Sequence, residues 1–303
     1  MPLERVVATS PATRGEESGR DNPPRIPVPP IVIEPSRGWA ALQLRAVWNY
    51  RELLFFLVWR DIKVRYKQTA LGVAWIVLQP VVSMVIFSLL FGELLGVSSG
   101  DVPYPIFAYA ALLPWNYFAG ALTRSSQSLV GSTHLITKVY FPRLIIPISS
   151  VLAGLVDFAI AFLVLIGLMA FYGIKPAPAA LLLPALLLLA VLTALGFGLW
   201  LGALNVRFRD VNYLVPFLVQ IWMYLTPVIY SSTLIPERFR LLLALNPMTG
   251  VVEGFRWALL GQQLTDAQAP GAMLIVPVII TLLVLASGVV FFRRTERTFA
   301  DVI

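Results

Sequence analysis

The sequence predicts an all-α, polytopic membrane fold, on three observations. Of its 303 residues 58% are apolar and only 13% charged. After residue 70 the apolar residues gather into six stretches long enough to cross a bilayer, and the basic residues fall on alternate connections between them. One soluble core of this length cannot use that much hydrocarbon, so lipid must cover part of it. About 20 apolar residues cross the hydrocarbon layer as a helix, the form in which a single segment satisfies its own backbone hydrogen bonds.

The expected spans are 72–95, 105–130, 145–172, 179–204, 212–230 and 272–292. The second carries Pro114, Trp115 and Asn116 and fades into the polar stretch 124–128, so a pair of helices that enters and returns competes there with a single crossing. Lys and Arg are retained in the cytoplasm by anionic lipid and by the insertion machinery. With both termini inside, residues 1–70 hold 11 of the 23 basic residues, and the cytoplasmic connections hold Arg124, Lys138, Arg143, Arg207, Arg209, Arg293, Arg294 and Arg297. Only Lys175, Arg238, Arg240 and Arg256 then lie outside. The net charge of +7 thus reports topology and attraction to lipid headgroups, and nucleic-acid binding does not follow from it.

Residues 1–41, with Pro23, Pro24, Pro27, Pro29 and Pro30, read as a disordered cytoplasmic tail without the apolar core of a signal peptide. Segment 42–71 mixes Leu53, Leu54, Phe56, Leu57 and Val58 with Arg51, Glu52, Arg60, Asp61, Lys63, Arg65 and Lys67. An amphipathic helix in the cytoplasmic interface fits that pattern, either as a simple juxtamembrane anchor or as a dock for a partner. Residues 293–303 form a short cytoplasmic C-terminal tail.

Two inward loops are compact. The segment 131–143 begins with small capping residues, runs through His134 and Lys138, and stops at Tyr140, Phe141, Pro142 and Arg143; the proline disfavours helix in the residue before it. A cytoplasmic helix of about two turns is expected within 132–143. The loop Asn205, Val206, Arg207, Phe208, Arg209, Asp210 leaves Asp210 available to cap the next helix. Either loop alone reads as an ordinary basic connection; together they offer a rigid face suited to a soluble partner.

The external segment 231–271 is too apolar to lie free in water. Its halves, 234–245 and 249–260, are helical and meet at Asn246 and Pro247. Two short helices dipping into the outer leaflet are expected, with a surface-lying hairpin as the alternative. Glu253 and Arg256, three residues apart, can pair on one helix face, beside Trp257. The chain has no cysteine and a single histidine, His134, so neither thiolate chemistry nor a histidine metal site is available.

The order of these pieces resembles the membrane subunits of bacterial ABC transporters that export polysaccharides such as O-antigen, capsule and teichoic acid. The resemblance covers about 45–295. It rests on Trp59, Arg60, Asp61, Ile62, Lys63, Val64, Arg65, Tyr66 and Lys67, followed by Leu71, Gly72 and Trp75, then Gln79 and Pro80, then Lys138 to Arg143. Arg207 to Val211, Thr226, Pro227 and Val228, and Leu245 to Met248 continue it. The resemblance implies a homodimer of six-helix subunits around a polymer channel, with two copies of a separate ATPase on the cytoplasmic side. No GxxxxGK[ST] loop is present, so ATP and its magnesium would be bound by that partner. By the same resemblance, Arg51–Lys67 contacts the ATPase, 134–143 is the coupling helix and 234–260 forms the external gate.

Sugars present apolar C–H faces to aromatic rings, so a sliding path for a polymer favours aromatics. The candidates are Trp75, Phe87, Trp115, Tyr117, Phe118, Trp222, Tyr224 and Tyr230, each also a candidate for packing or for the interfacial belt. Trp222 and Tyr224 lie on different helix faces. Asp157, the one acid deep in a clear span, is costly there unless paired or wet, so a functional place on the channel and glycan path is the default expectation; Arg or Ser partners on a neighbouring helix would instead make it structural. Gly198 and Gly202 suit close helix packing. The expected activity is export of a lipid-linked glycan across the inner membrane by a non-catalytic subunit. A drug- or lipid-exporting ABC permease is the alternative. A membrane-embedded glycosyl- or acyltransferase would need clustered acids or a histidine base, and a passive channel would leave the inward helix without purpose.

Overall fold

The computed structural model describes residues 44–67, 72–261, 271–296 and 299. The expected tail 1–41 and most of the C-terminal tail 293–303 lie outside the described residues, as do 68–71 and 262–270. The described residues form helices joined by turns and loops, with no strand among them: α1 (Leu44–Asn49), α2 (Arg51–Lys67), α3 (Gly72–Phe87), α4 (Tyr104–Gly131), α5 (Thr133–Lys138), α6 (Ile145–Phe171), α7 (Leu183–Arg207), α8 (Val211–Leu225), α9 (Glu237–Ala244), α10 (Pro247–Leu260) and α11 (Gly271–Glu296). Four helical stretches are long and apolar enough to cross a membrane: Ala74–Leu94, Ile145–Phe171, Pro178–Arg207 and Leu274–Glu296.

The most polar of the expected spans turns out to be the centre of the bundle. Residues 104–131 form one helix, so the alternative of two helices entering and returning is corrected. At 1.5 Å per residue it is about 42 Å long, and Pro114 interrupts only one of its backbone bonds. It packs against α3, α6, α7, α8 and α10, and 18 of its 28 residues are buried. Protein, not lipid, surrounds it, and this is why its sequence tolerates Asn116, Arg124, Ser125 and Ser126.

Close approach is arranged by glycines. A Cβ at Gly198 would run into the Ser125 hydroxyl on α4, and one at Gly202 would lie 3.3 Å from the Ser125 carbonyl. On the other side of α7, a Cβ at Gly196 would meet the Leu285 backbone of α11 at 3.0 Å. Thr193 and Thr281 share a 2.9 Å hydroxyl bond, and Trp200 stacks on Phe291 at 4.1 Å while its indole N–H donates to Ser287. Small residues and interhelical hydroxyl bonds are how helices associate where burial in lipid supplies no hydrophobic drive.

The α8 helix has 15 residues, about 22 Å, less than the roughly 30 Å hydrocarbon layer. The expected fifth span therefore ends at Leu225, and Thr226, Pro227, Val228 and Ile229 continue as a buried turn. In α3 the last apolar residues run on as a π-turned segment, Ser88–Leu94, in which Leu95 N–H donates to the Leu90 carbonyl.

Candidate coupling and translocation sites

The expected two-turn helix is shorter than its loop. Helix α5 covers only Thr133–Lys138 and Val139 is already extended (φ −129°, ψ 134°); a continued helix would drive the Pro142 ring into the Lys138 carbonyl. His134 and Lys138 are exposed; Val139 and Tyr140 protrude, Tyr140 being 80% exposed. Phe141 points the other way, buried with Leu57, Leu129, Ile136, Leu144 and Phe292. Arg143 donates its main-chain N–H to the Glu296 carboxylate and its guanidinium to the Glu296 carbonyl at the end of α11. Of the second inward loop, Arg207, Phe208, Arg209 and Asp210 are all exposed. Asp210 does stand at the N-cap of α8, but its side chain makes no cap bond; its carbonyl instead accepts from the Tyr213 and Leu214 N–H groups. Asn205 fastens this loop to α4, donating to the Ser126 carbonyl and to Asn212 Oδ1, both at 2.9 Å.

Helix α2 does not present one apolar face and one polar face. Leu57 is buried against the bundle with Leu53 and Leu54 beside it, while Phe55, Phe56, Trp59 and Val64 are exposed. Apolar residues thus face both protein and surroundings, and the charges lie between. Arg60 pairs with its neighbour Asp61 at 2.8 Å, and Lys63 sits 5.3 Å from the Trp59 ring.

The C-terminal end of α2 is pinned to the bundle by Asp157. Arg65 is ion-paired with one oxygen of Asp157, the Tyr66 hydroxyl donates to the other, and Arg124 of α4 approaches at 3.8 Å. Burial pushes the Tyr66 phenol up to about 12, and its bond to Asp157 pushes the same way. Glycines make room for the second cation: a Cβ at Gly120 would lie 2.8 Å from Arg124 Nη1, and one at Gly154 would overlap Nη2. Asp157 is therefore a paired acid with arginine partners on neighbouring helices. One carboxylate joins α2, α4 and α6.

On the opposite side, the turn Asn246–Pro247 is built by its own chemistry. Asn246 caps α10 by accepting from Met248 N–H at 3.0 Å, Pro247 starts the helix, and the Asn246 amide donates to Thr226 Oγ1 at 2.8 Å. Trp222 donates its indole N–H to Asn246 Oδ1 at 2.8 Å. Helix α10 is buried on nearly every face against α4, α7 and α11, with only Glu253 and Trp257 part-exposed. That burial is incompatible with a surface-lying α10.

Arg256 reaches well beyond its helix neighbour Glu253. Its side chain turns inward, 4% exposed, and donates to four carbonyls: Phe107 (3.2 Å), Pro227 (2.5 Å), Tyr230 (3.1 Å) and Val228. It also covers the Phe107 ring at 3.7 Å. The guanidinium fork reaches acceptors in several directions at once, which an ammonium cannot. This cage ties the start of α4, the buried turn after α8 and α10 together. Nothing in the spacing of Glu253 and Arg256 points to it.

The aromatic candidates divide by place. Trp115, Tyr117 and Phe118 are buried in the subunit; Tyr117 donates to the Val151 carbonyl, and Trp222 packs edge-on against Phe118 (4.9 Å) and Phe197 (4.8 Å). Phe87 edges onto Phe91, and Tyr230 donates to the Tyr224 carbonyl at 3.2 Å. Trp75 and Tyr224 stand open on the subunit surface, each 56% exposed.

A helical bundle around a buried polar helix, with a projecting elbow at one end, a caged half-length helix at the other and four helices long and apolar enough to cross a bilayer, defines an integral-membrane protein. The chain belongs to the ABC-2 type transporter membrane family, whose model matches residues 52–260. It is 34% identical over 256 residues to the O-antigen export system permease protein RfbA of Myxococcus xanthus, covering 84% of this chain and 96% of that protein. A Klebsiella pneumoniae protein of the same name is 27% identical over 253 residues (83% and 95%). The polysialic acid transport protein KpsM of Escherichia coli is 24% identical over 246 residues (78% and 91%).

Proposed function

We propose that this chain is the membrane subunit of an ABC exporter that moves a lipid-linked polysaccharide of the O-antigen type across the cytoplasmic membrane. The observation that carries this reading is the 34% identity along 96% of a permease named for O-antigen export. The family and a second relative named for transport of an acidic glycan agree with it.

In this reading two copies of the chain form the path, and two copies of a separate ATPase bind beneath them and hold ATP and magnesium. Six spans place both termini in the cytoplasm. Tyr140 and Val139, at the elbow after α5, enter the ATPase, and the exposed Arg207, Phe208, Arg209 and Asp210 form a second contact. Movement of the elbow reaches the spans through the chain itself, while α2 follows through Asp157. Helices α9 and α10 form the external gate. The open faces of α3 and α8, with Trp75 and Tyr224, are offered to the second copy and the glycan. The interior rings Trp115, Phe118 and Trp222 shape the wall behind them.

The test is to deplete the chain in its native cell and to purify a tagged copy from native membranes. Loss of surface polysaccharide, with the glycan accumulating inside, and co-purification of an ATP-binding subunit are expected. Unchanged surface glycan on depletion, or recovery without any ATP-binding protein, overturns the reading.

A further inference from the structure

The cytoplasmic end of α11 holds the elbow from behind, and no family feature or motif in the sequence assigns it a role there. Glu296 does three things at once. Its Oε1 accepts the Arg143 main-chain N–H at 3.3 Å, its Oε2 accepts from Arg293 one turn earlier at 2.9 Å, and its carbonyl accepts from the Arg143 guanidinium. Phe299, fully buried, packs edge-on against Phe292 at 5.4 Å, and the Arg143 guanidinium lies 5.9 Å from its ring. Phe292 and Phe299 share one apolar cluster with Ile136 of α5, with Phe141 of the elbow and with Leu57 of α2.

The sequence separation is 153 residues, yet the contact is made by main chain as well as side chains. An ordinary surface salt bridge adds little, because two long side chains must be ordered for it in water. Here the acceptor carboxylate is pre-ordered by Arg293, both side chains of that pair being 18% exposed, and a backbone N–H is one of the donors. Such an arrangement sets the position of the chain at Arg143, immediately after the projecting Tyr140, and leaves Tyr140 itself uncovered.

We propose that Glu296, with Phe299, is a positioning element of the coupling device: it makes the elbow and α11 one rigid body, so that a push on Tyr140 reaches α11 directly as well as α6. The proposal rests on the reading of the elbow as the ATPase contact. Glu296 touches neither nucleotide nor glycan; it acts through Arg143.

The experiment compares Glu296→Ala, Glu296→Gln, Phe299→Ala and Tyr140→Ala, each co-expressed with the ATP-binding subunit that co-purifies with the native chain. Three quantities are read: membrane level of the complex, its ATP hydrolysis in detergent, and surface polysaccharide resolved on gels. Glu296→Ala is expected to assemble and hydrolyse ATP within about twofold of wild type while surface polysaccharide falls roughly tenfold. Glu296→Gln, which keeps Oε1 as acceptor for Arg143, restores most of the export. A merely structural role would lower the level of the complex and, with it, the other two readouts. Normal export by both Glu296→Ala and Phe299→Ala, with Tyr140→Ala defective, overturns the proposal and leaves the elbow reading intact. Normal ATPase binding and export by Tyr140→Ala sinks the elbow reading itself. If Phe299→Ala fails to accumulate, the Glu296 pair alone decides.

Discussion

Two arginines are drawn into the bundle at opposite ends, and their guanidinium groups are held differently. Arg124, near the elbow, shares the Asp157 carboxylate with Arg65, in a slot left by Gly120 and Gly154. Arg256, near the caged turn, is held by four backbone carbonyls and one aromatic face. An ion pair joins side chains, so its partners can shift while the charge stays compensated. A carbonyl cage joins the guanidinium to main chain, and it specifies where that main chain must lie. The first arrangement suits a joint between helices that move against one another; the second suits a fixed point around which a turn is built.

The sharpest way to break that contrast is at the cage. Arg256→Leu leaves the carbonyls of Phe107, Pro227, Val228 and Tyr230 without their donor, and a loss of about 3 kcal/mol or more is expected. Arg256→Lys keeps the charge but gathers its donors on one atom, so it recovers less than half of that. Thermal unfolding in detergent reads both, and a lysine variant as stable as wild type would contradict the cage.

At the joint, Asp157→Asn leaves Arg65 and Arg124 facing each other across a neutral amide. A loss of about 2–3 kcal/mol is expected, because removing one partner strands the remaining charges. A double-mutant cycle with Arg65→Gln should return a coupling of at least 1 kcal/mol; additivity would show that the two do not interact. Gly154→Ala tests the slot by sterics alone. Its new methyl collides with Arg124, and about 1–3 kcal/mol is expected. Trp222→Phe keeps the packing against Phe118 and Phe197 and removes one bond to Asn246, for about 1 kcal/mol. Tyr140→Ala should change stability by under about 0.5 kcal/mol, since the ring is exposed, while its effect on export is large.

The helical class, four of the apolar stretches and the two compact loops were legible because hydropathy and local capping chemistry act within single segments. The Asn246 turn was legible too, since its capping and proline chemistry is local. Hydropathy misled at 104–131, and for a physical reason: a helix wrapped by protein need not be apolar, so the central span looks the weakest. The channel aromatics could not be sorted, because Trp222 and Tyr224 stand two residues apart, one packed inside and one open.

By itself, then, the sequence determined the helical class, four apolar stretches long enough to cross a bilayer and the Asn246 reversal, all of which depend on local segments. Only the tertiary structure decided the partners of Asp157 in α2, the carbonyl cage of Arg256, and the grip of Glu296 on Arg143. Their partners lie 92, 149 and 153 residues away. A buried charge demands compensation but does not name its source; the packing of α4 between α6, α7 and α10 supplies it.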